Sequence, residues 1–253
     1  MNGAISNGSR PGAATAGTAE PAIEARMMSA GYGAQPVVHE LQLDVKPGEV
    51  VALLGPNGAG KTTTLLALAG ELPLLAGSVA IDGRVTSAPL HKRAQRGLVF
   101  VTEEKSVFMD LTARDNLKVA RVDLADALAL FPELERRLDV RGGLLSGGEQ
   151  QMLALARGLC RRPRVLLADE LSLGLAPMVV TRLLEAVRDA ADIFGSAVLL
   201  VEQHVRQALR YADRAYVMRR GRIDLSGTTT ELRGRLSEIE NSYLTNSSNG
   251  EHH

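Results

Sequence analysis

Val50-Val51-Ala52-Leu53-Leu54-Gly55-Pro56-Asn57-Gly58-Ala59-Gly60-Lys61-Thr62-Thr63 is the stretch on which the fold turns. Its first five residues are apolar and rich in β-formers, the pattern of a short, fully buried strand. Gly55 to Gly60 is a loop of small residues, and Lys61 to Ala69 reads as a helix. A strand, a G-x-x-x-x-G-K-[ST] loop and a helix, in that order, make a phosphate-binding loop. Small residues let the backbone curl until successive N–H groups point at phosphate oxygens, and the helix start favours negative charge. Gly55, Pro56, Asn57, Gly58, Ala59, Gly60, Lys61, Thr62 and Thr63 are therefore candidate nucleotide contacts. Lys61 is expected to reach the β- and γ-phosphates, and the Thr62 hydroxyl to ligate Mg²⁺.

Outward from this unit, Val165 to Ala168 and Ala197 to Val201 read as two more buried strands, and Leu98 to Val101 as a further strand. Strands alternating with helices predict an α/β fold with a mostly parallel sheet covered by helices. From about Thr112 to Val140 the alternation gives way to helical periodicity, carried by Leu117, Val119, Val122, Leu124, Ala127 and Leu128. A small helical subdomain is expected there. Residues 1–20 are Gly, Ala, Ser, Thr and Asn with no apolar period, a composition that cannot repay the entropy of ordering. They are read as a disordered leader, and 241–253 as a flexible tail.

Composition narrows the classes. With 45% apolar and 23% charged residues the chain has the balance of a globular protein, and 253 residues bury one core with a small appended subdomain. Lys plus Arg equals Asp plus Glu at 29 each, so no net field draws it to nucleic acid or anionic lipid. Cys160 is the one cysteine, which excludes an internal disulfide and a multi-cysteine metal site and fits a reducing compartment. No run reaches the roughly 18 apolar residues a membrane helix needs, and no basic segment precedes an apolar one near the start, so a cytosolic chain is expected.

Two further stretches carry chemistry. Val165-Leu166-Leu167-Ala168-Asp169-Glu170 delivers adjacent carboxylates at a strand end. Asp169 is placed to hold the hydration shell of Mg²⁺ and Glu170 to polarise the water attacking the γ-phosphate. Leu145-Ser146-Gly147-Gly148-Glu149-Gln150 opens an apolar helix from Gln151 to Cys160. A helix start preceded by Ser and two glycines is an anion site, though alone it reads equally well as a capped helix.

The phosphate loop, Leu145 to Gln150 and the strand ending in Asp169-Glu170 together resemble the ATP-binding cassette family, over about Ile23 to Leu236. The resemblance implies an α/β phosphate-loop fold with a mostly parallel core sheet, an antiparallel β subdomain and a helical subdomain at about 103–160, all within 21–240. It implies ATP hydrolysis with Mg²⁺ and two cassettes facing head to tail. Ser146, Gly147 and Gly148 of one would complete the γ-phosphate site on the other's Lys61. Tyr32, in Gly31-Tyr32-Gly33, resembles the aromatic that stacks on adenine. His204 resembles the switch histidine that touches the γ-phosphate, and Glu149 and Gln150 are read as completing the helix start.

Departures from the family pattern are informative. The loop after Val101 usually carries a Gln that contacts Mg²⁺; here Thr102-Glu103-Glu104-Lys105 puts Glu103 in that role, with Glu104 one slip away. Leu171 stands where Pro is usual, and Ser172-Leu173-Gly174-Leu175-Ala176-Pro177 puts Leu175 at the place of an interface Asp. With Gln151-Met152-Leu153-Ala154, these features resemble the ATP-binding subunits of branched-chain amino acid importers. That resemblance implies separate transmembrane permease subunits, a homo- or heterodimer of cassettes, a solute-binding protein, no nucleic acid, and a peripheral position on the inner face of the cell membrane. Related cassettes serve urea or amides; a free-standing exporter cassette and a non-transport cassette acting on nucleic acid or ribosomes are the alternatives.

Overall fold

The computed structural model describes residues 20–102, 104 and 106–244. In chain order its strands are β1 (Ile23–Tyr32), β2 (Gln35–Val45), β3 (Val50–Leu54), β4 (Leu74–Ile81), β5 (Arg84–Val85), β6 (Leu98–Val101), β7 (Val165–Asp169), β8 (Ala197–Glu202), β9 (Arg214–Arg219) and β10 (Arg222–Thr228). The helices are α1 (Lys61–Ala69), α2 (Leu90–Ala94), α3 (Ala113–Val119), α4 (Leu124–Leu130), α5 (Gly147–Leu159), α6 (Pro177–Phe194), α7 (Val205–Tyr211), α8 (Thr229–Arg233) and α9 (Leu236–Leu244). No described helix is long and apolar enough to cross a membrane.

The central sheet runs β10-β9-β3-β8-β7-β6, parallel throughout except for the antiparallel edge strand β10. A second, antiparallel sheet runs β2-β1-β4-β5. The strands read from the sequence are all present, and the fold is the expected one: a parallel core, an antiparallel sheet and a helical insertion.

Strand alternation divides the core cleanly. Val50, Ala52, Leu54, Leu166, Ala168, Val198 and Leu200 join the cluster that packs α5, α6 and α7. Val51, Leu53, Val165, Leu167, Ala197, Leu199 and Val201 join the cluster under α1 and the antiparallel sheet. A strand covered on both faces has no polar side, which is why β3, β7 and β8 read as continuous apolar runs.

The two sheets are clamped by Arg214 on β9. Its guanidinium donates to Glu49 Oε1 at 2.5 Å and Asp44 Oδ2 at 3.0 Å, while the Tyr216 hydroxyl donates to Asp44 Oδ1 at 2.9 Å. One cation on β9 thus holds the end of β2 and the turn that follows it.

The helical insertion is less regular than its periodicity predicts. Arg121 adopts φ 55° and ends one helix, and the Asp123 side chain accepts from Ala125 N at 2.7 Å to start the next. Two 3₁₀ turns follow, Pro132–Arg137 and Gly142–Leu144. Leu117 and Ala127 are buried, but Val119 is 55% exposed. At the other end α9 continues to Leu244, into the stretch read as a tail. The leader and the residues after Leu244 lie outside the described residues.

Candidate nucleotide site

β3 ends against the loop that leads to α1. A Cβ at Gly60 would come within 2.9 Å of Met218 Cε, and its φ of +104° is one that side chains resist, so only glycine fits. Gly60 caps α1 with no side-chain hydrogen bond. The first-turn amides are thereby left for a ligand. Thr64 spends its hydroxyl on Gly60 O at 2.9 Å, which leaves Thr62 and Thr63 facing the open side.

That open side is a cleft of about 350 Å³ lined by Val37, Asn57, Gly58, Gly60, Lys61, Thr62, Thr63, Glu170, Leu173 and Gln203. Gly58 has φ +76° and open space where a Cβ would be, so its backbone is accessible. Lys61 is almost fully buried and curls over the loop. Its Nζ donates to Gly55 O at 2.9 Å and Pro56 O at 3.2 Å, and stands 3.4 Å from Glu170 Oε1. Two ammonium donors are therefore engaged inside the chain, and Glu170 stands beside the group as its counter-ion.

Glu170 follows β7 with φ 45°, a left-handed conformation that costs roughly 1–2 kcal/mol in a residue bearing a Cβ. Its amide nevertheless continues the sheet, donating to Val201 O at 3.0 Å. The twist turns its carboxylate to the cleft, where Oε2 accepts from Gln203 Nε2 at 2.6 Å. Asp169, one residue earlier, is buried at the last position of β7. By strand parity it belongs to the face that carries α1.

Directly behind Glu170, Ser172 donates its hydroxyl to Glu202 Oε2 at 2.5 Å and its amide to Oε1 at 3.2 Å. Burial pushes the Glu202 carboxyl up to about 7, the Ser172 hydrogen bonds oppose the rise, and the Glu170 charge adds to it. Leu171 is buried, and Leu175 packs against the core from a half-buried position.

The remaining candidates are distributed as follows. Gly55 and Pro56 supply the carbonyls under Lys61 Nζ; Ala59 is buried and its carbonyl accepts from Gly221 N at 2.9 Å. Tyr32 ends β1, 58% exposed and outside the lining of the cleft. Ser146, Gly147 and Gly148 start α5, also outside that lining. His204 is exposed at the head of α7, makes no side-chain cap hydrogen bond and does not line the cleft. Glu103 lies outside the described residues.

The start of α5 is a full capping box. Ser146 Oγ accepts from Glu149 N at 3.3 Å, and Glu149 Oε2 accepts from Ser146 N at 2.8 Å. Arg137 holds the other Glu149 oxygen at 2.7 Å, and Gln150 Nε2 donates to Gly142 O at 2.9 Å. A Cβ at Gly148 would meet Val179 on α6 at 2.9 Å, so that glycine is also needed for packing. Burial pushes the Cys160 thiol, at the far end of α5, up to about 11, which keeps it protonated and unreactive.

Val37, Leu173 and Gln203 line the cleft without having been singled out in the sequence. Gln203 had a signal: Leu199, Val201 and residue 203 share one parity, the parity of the α1 face. Val37 had none, since it arrives from the antiparallel sheet.

A strand, a glycine-rich loop, a buried lysine and a carboxylate that follows a parallel strand one place removed in the sheet define a phosphate-loop nucleotide hydrolase. The profile of the ABC transporter family matches residues 38–172. The chain is 39% identical over 215 residues to the high-affinity branched-chain amino acid transport ATP-binding protein BraG of Pseudomonas aeruginosa, covering 81% of this chain and 92% of that one. It is 36% identical over 217 residues to the probable branched-chain amino acid transport ATP-binding protein LivF of Archaeoglobus fulgidus, covering 81% and 91%. It is also 36% identical over 225 residues to the lipopolysaccharide export system ATP-binding protein LptB of Escherichia coli, covering 83% and 92%. Among solved structures, the ATP-binding subunit of an ABC transporter superposes with a TM-score of 0.75 at 28% identity, over 88% of this chain and 99% of that one. The chain belongs to the ABC transporter ATP-binding cassette family. It is an ATP-binding, ATP-hydrolysing transporter subunit.

Proposed function

We propose that this cassette energises the uptake of branched-chain or other hydrophobic amino acids through separate membrane subunits, from a peripheral position on the inner face of the membrane. The observation that carries this reading is the 39% identity to BraG over nearly its whole length. Export is the second reading, favoured by the 36% identity to LptB. Pull-down of the full chain from membranes, with identification of the integral subunits that co-purify, tests both. Permease subunits and a binding protein for amino acids support import; an export complex overturns it. Labelled leucine uptake in a strain lacking the chain supplies the second arm, with rescue by the wild type and not by Lys61→Ala.

In this reading the first-turn amides of α1 and Lys61 hold the phosphates, and Tyr32 stacks on the adenine. Asn57, Gly58 and Gly60 to Thr63 line the cleft, which suits a polyphosphate. Thr62 and Asp169 would hold Mg²⁺, with Glu103 as a third oxygen donor. Hard oxygen ligands suit that ion, and among the described residues no three His, Cys, Asp or Glu side chains gather as a closed metal site, so phosphate oxygens would complete the shell. Mg²⁺ would supply charge neutralisation at the phosphates. Glu170 polarises the attacking water once the γ-phosphate has drawn Lys61 away from it. Ser146, Gly147 and Gly148 serve the nucleotide of a partner cassette. Supporting this, they stand outside their own chain's cleft, while Glu149 and Gln150 are spent on the local fold.

A further inference from the structure

We propose that Arg93 is a positioning residue for phosphate binding: from the far end of α1 its guanidinium fixes the helix whose first turn meets the nucleotide. The proposal rests on the reading that the first-turn amides of α1 hold the phosphates.

Neither end of α1 is closed by a side chain of its own. Gly60 brings no cap to the N-terminus, and the last turn holds no Lys, Arg or His. At the C-terminus Gly70, with φ 84°, donates to Leu66 O at 3.1 Å and to Ala67 O at 3.2 Å, and the next two amides also return to Leu66 O. Other carbonyls of the last turn are met from outside the helix. Arg93 Nη1 donates to Leu68 O and, at 3.3 Å, to Ala67 O. Its remaining bonds go to the loop ahead of α2: Nε donates to Ala88 O at 2.7 Å and Nη2 to Thr86 O at 3.3 Å. Thr86 N in turn donates to Val79 O on β4 at 2.9 Å. One guanidinium therefore moors the end of α1 to the antiparallel sheet.

The electrostatics match. Arg93 is 3% exposed and, among the described residues, forms no ion pair; burial lowers its pKa, and a guanidinium stays charged nonetheless. A buried cation without a counter-ion is costly. What offsets it here is a set of backbone carbonyls, two of them at the negative end of α1. The positive end of the same nine-residue helix, about 13 Å away, is the first turn. A cation behind and an anion in front are the two charges that one helix dipole favours together.

The mechanics match as well. Leu65, Ala67 and Leu68 hold the flank of α1 by apolar packing, which is non-directional and offers little resistance to sliding along the helix axis. The bonds of a planar fork are directional, and these sit at the end of that axis. The fit is close: a Cβ at Gly70 would come within 2.6 Å of Ala88 O and 2.7 Å of Arg93 Nε. A phosphate drawing on the first-turn amides pulls against this mooring, and a slip of about 1 Å is enough to spoil such geometry.

The test uses the full chain with Arg93→Lys, which keeps the charge and loses the fork, and Arg93→Met, which loses both. Thermal unfolding establishes that each variant is folded at the assay temperature. Titration calorimetry then measures ATP, inorganic tripolyphosphate, which probes the phosphate contacts alone, and adenosine, which probes the base contacts alone. In Arg93→Lys the Kd values of ATP and tripolyphosphate are expected to rise together by roughly tenfold, and in Arg93→Met by more, with adenosine unchanged. A merely structural arginine would lower Tm and leave the affinities of the folded fraction alone, and that result overturns the proposal. A measurement on the wild type guards against variants that do not fold: the Arg93 Nε–Hε signal, assigned by through-bond correlation, is expected to shift with tripolyphosphate and to stay with adenosine. A signal indifferent to tripolyphosphate overturns the proposal. A wild-type chain that binds ATP but no tripolyphosphate removes the underlying reading of the α1 amides as well, which distinguishes the two failures.

Discussion

Lys61 Nζ and Glu170 Oε1 stand 3.4 Å apart with 4% and 9% of their side chains exposed, so the cation proposed to bind phosphate is paired with the carboxylate proposed to polarise the water. A buried pair of this kind is worth little net, but removing one partner strands the other charge. In the proposed function, ATP meets a lysine already paired with a carboxylate.

Lys61→Ala is expected to abolish ATP binding, raising the Kd of a fluorescent ATP analogue by at least roughly 100-fold, the scale of a buried charge–phosphate contact. Near-normal affinity in that variant would undo the phosphate-loop assignment.

Glu170→Gln keeps the shape of the turn and a hydrogen-bonding end group. ATP binding should survive while phosphate release falls by about 100-fold or more, and a nucleotide-trapped dimer should appear on gel filtration. Unchanged steady-state hydrolysis would exclude Glu170 as the base.

Ser146→Ala removes the cap of α5, costing about 1 kcal/mol of stability. In a Glu170→Gln background it should also weaken ATP-dependent dimerisation while leaving the nucleotide affinity of the single chain in place. Loss of affinity without loss of dimerisation would mean that Ser146 serves its own chain.

Glu202 gives a pH dependence with a definite sign. Its carboxyl titrates near 7 in the folded chain because burial raises it from the ordinary value of 4.5. Between those values the folded chain holds a proton that the unfolded chain has released, so this group's contribution falls as pH rises through the window and is flat above it. The loss approaches about 3 kcal/mol. Urea unfolding of Glu202→Gln at pH 5 and pH 8, without metal or nucleotide, should show a smaller decline than wild type. Equal declines would dismiss the assignment.

Arg214→Met leaves Asp44 and Glu49 facing each other without their cation. Stability should drop by about 2 kcal/mol, less than for a fully buried pair because Arg214 is 28% exposed. Thermal unfolding reads it directly; an unchanged Tm would mean that the sheets are held together without this clamp.

Much of this arrangement was legible in the sequence because its determinants are local. Val50 to Ala69 specifies strand, loop and helix by apolar runs and glycines at fixed spacing, and Glu149 announces the capping box three residues after Ser146. What escaped depends on geometry across the chain. Val37 reaches the cleft from a different sheet, and Arg121 breaks a helical period through one backbone angle that leaves no apolar mark. Gln203 was not singled out either, although it shares the parity of Leu199 and Val201, so counting by twos along β8 sends it to the α1 face. A period of two is as binding a constraint as a motif, and here it discriminates between adjacent residues.

β8 is locked in register by β3 on one side and β7 on the other. Glu202 is the last residue of that ladder and Gln203 the first beyond it, so a carboxylate and an amide leave one fixed strand end for opposite faces of the sheet. Pairing register alone thus hands two adjacent residues to two different layers of the molecule.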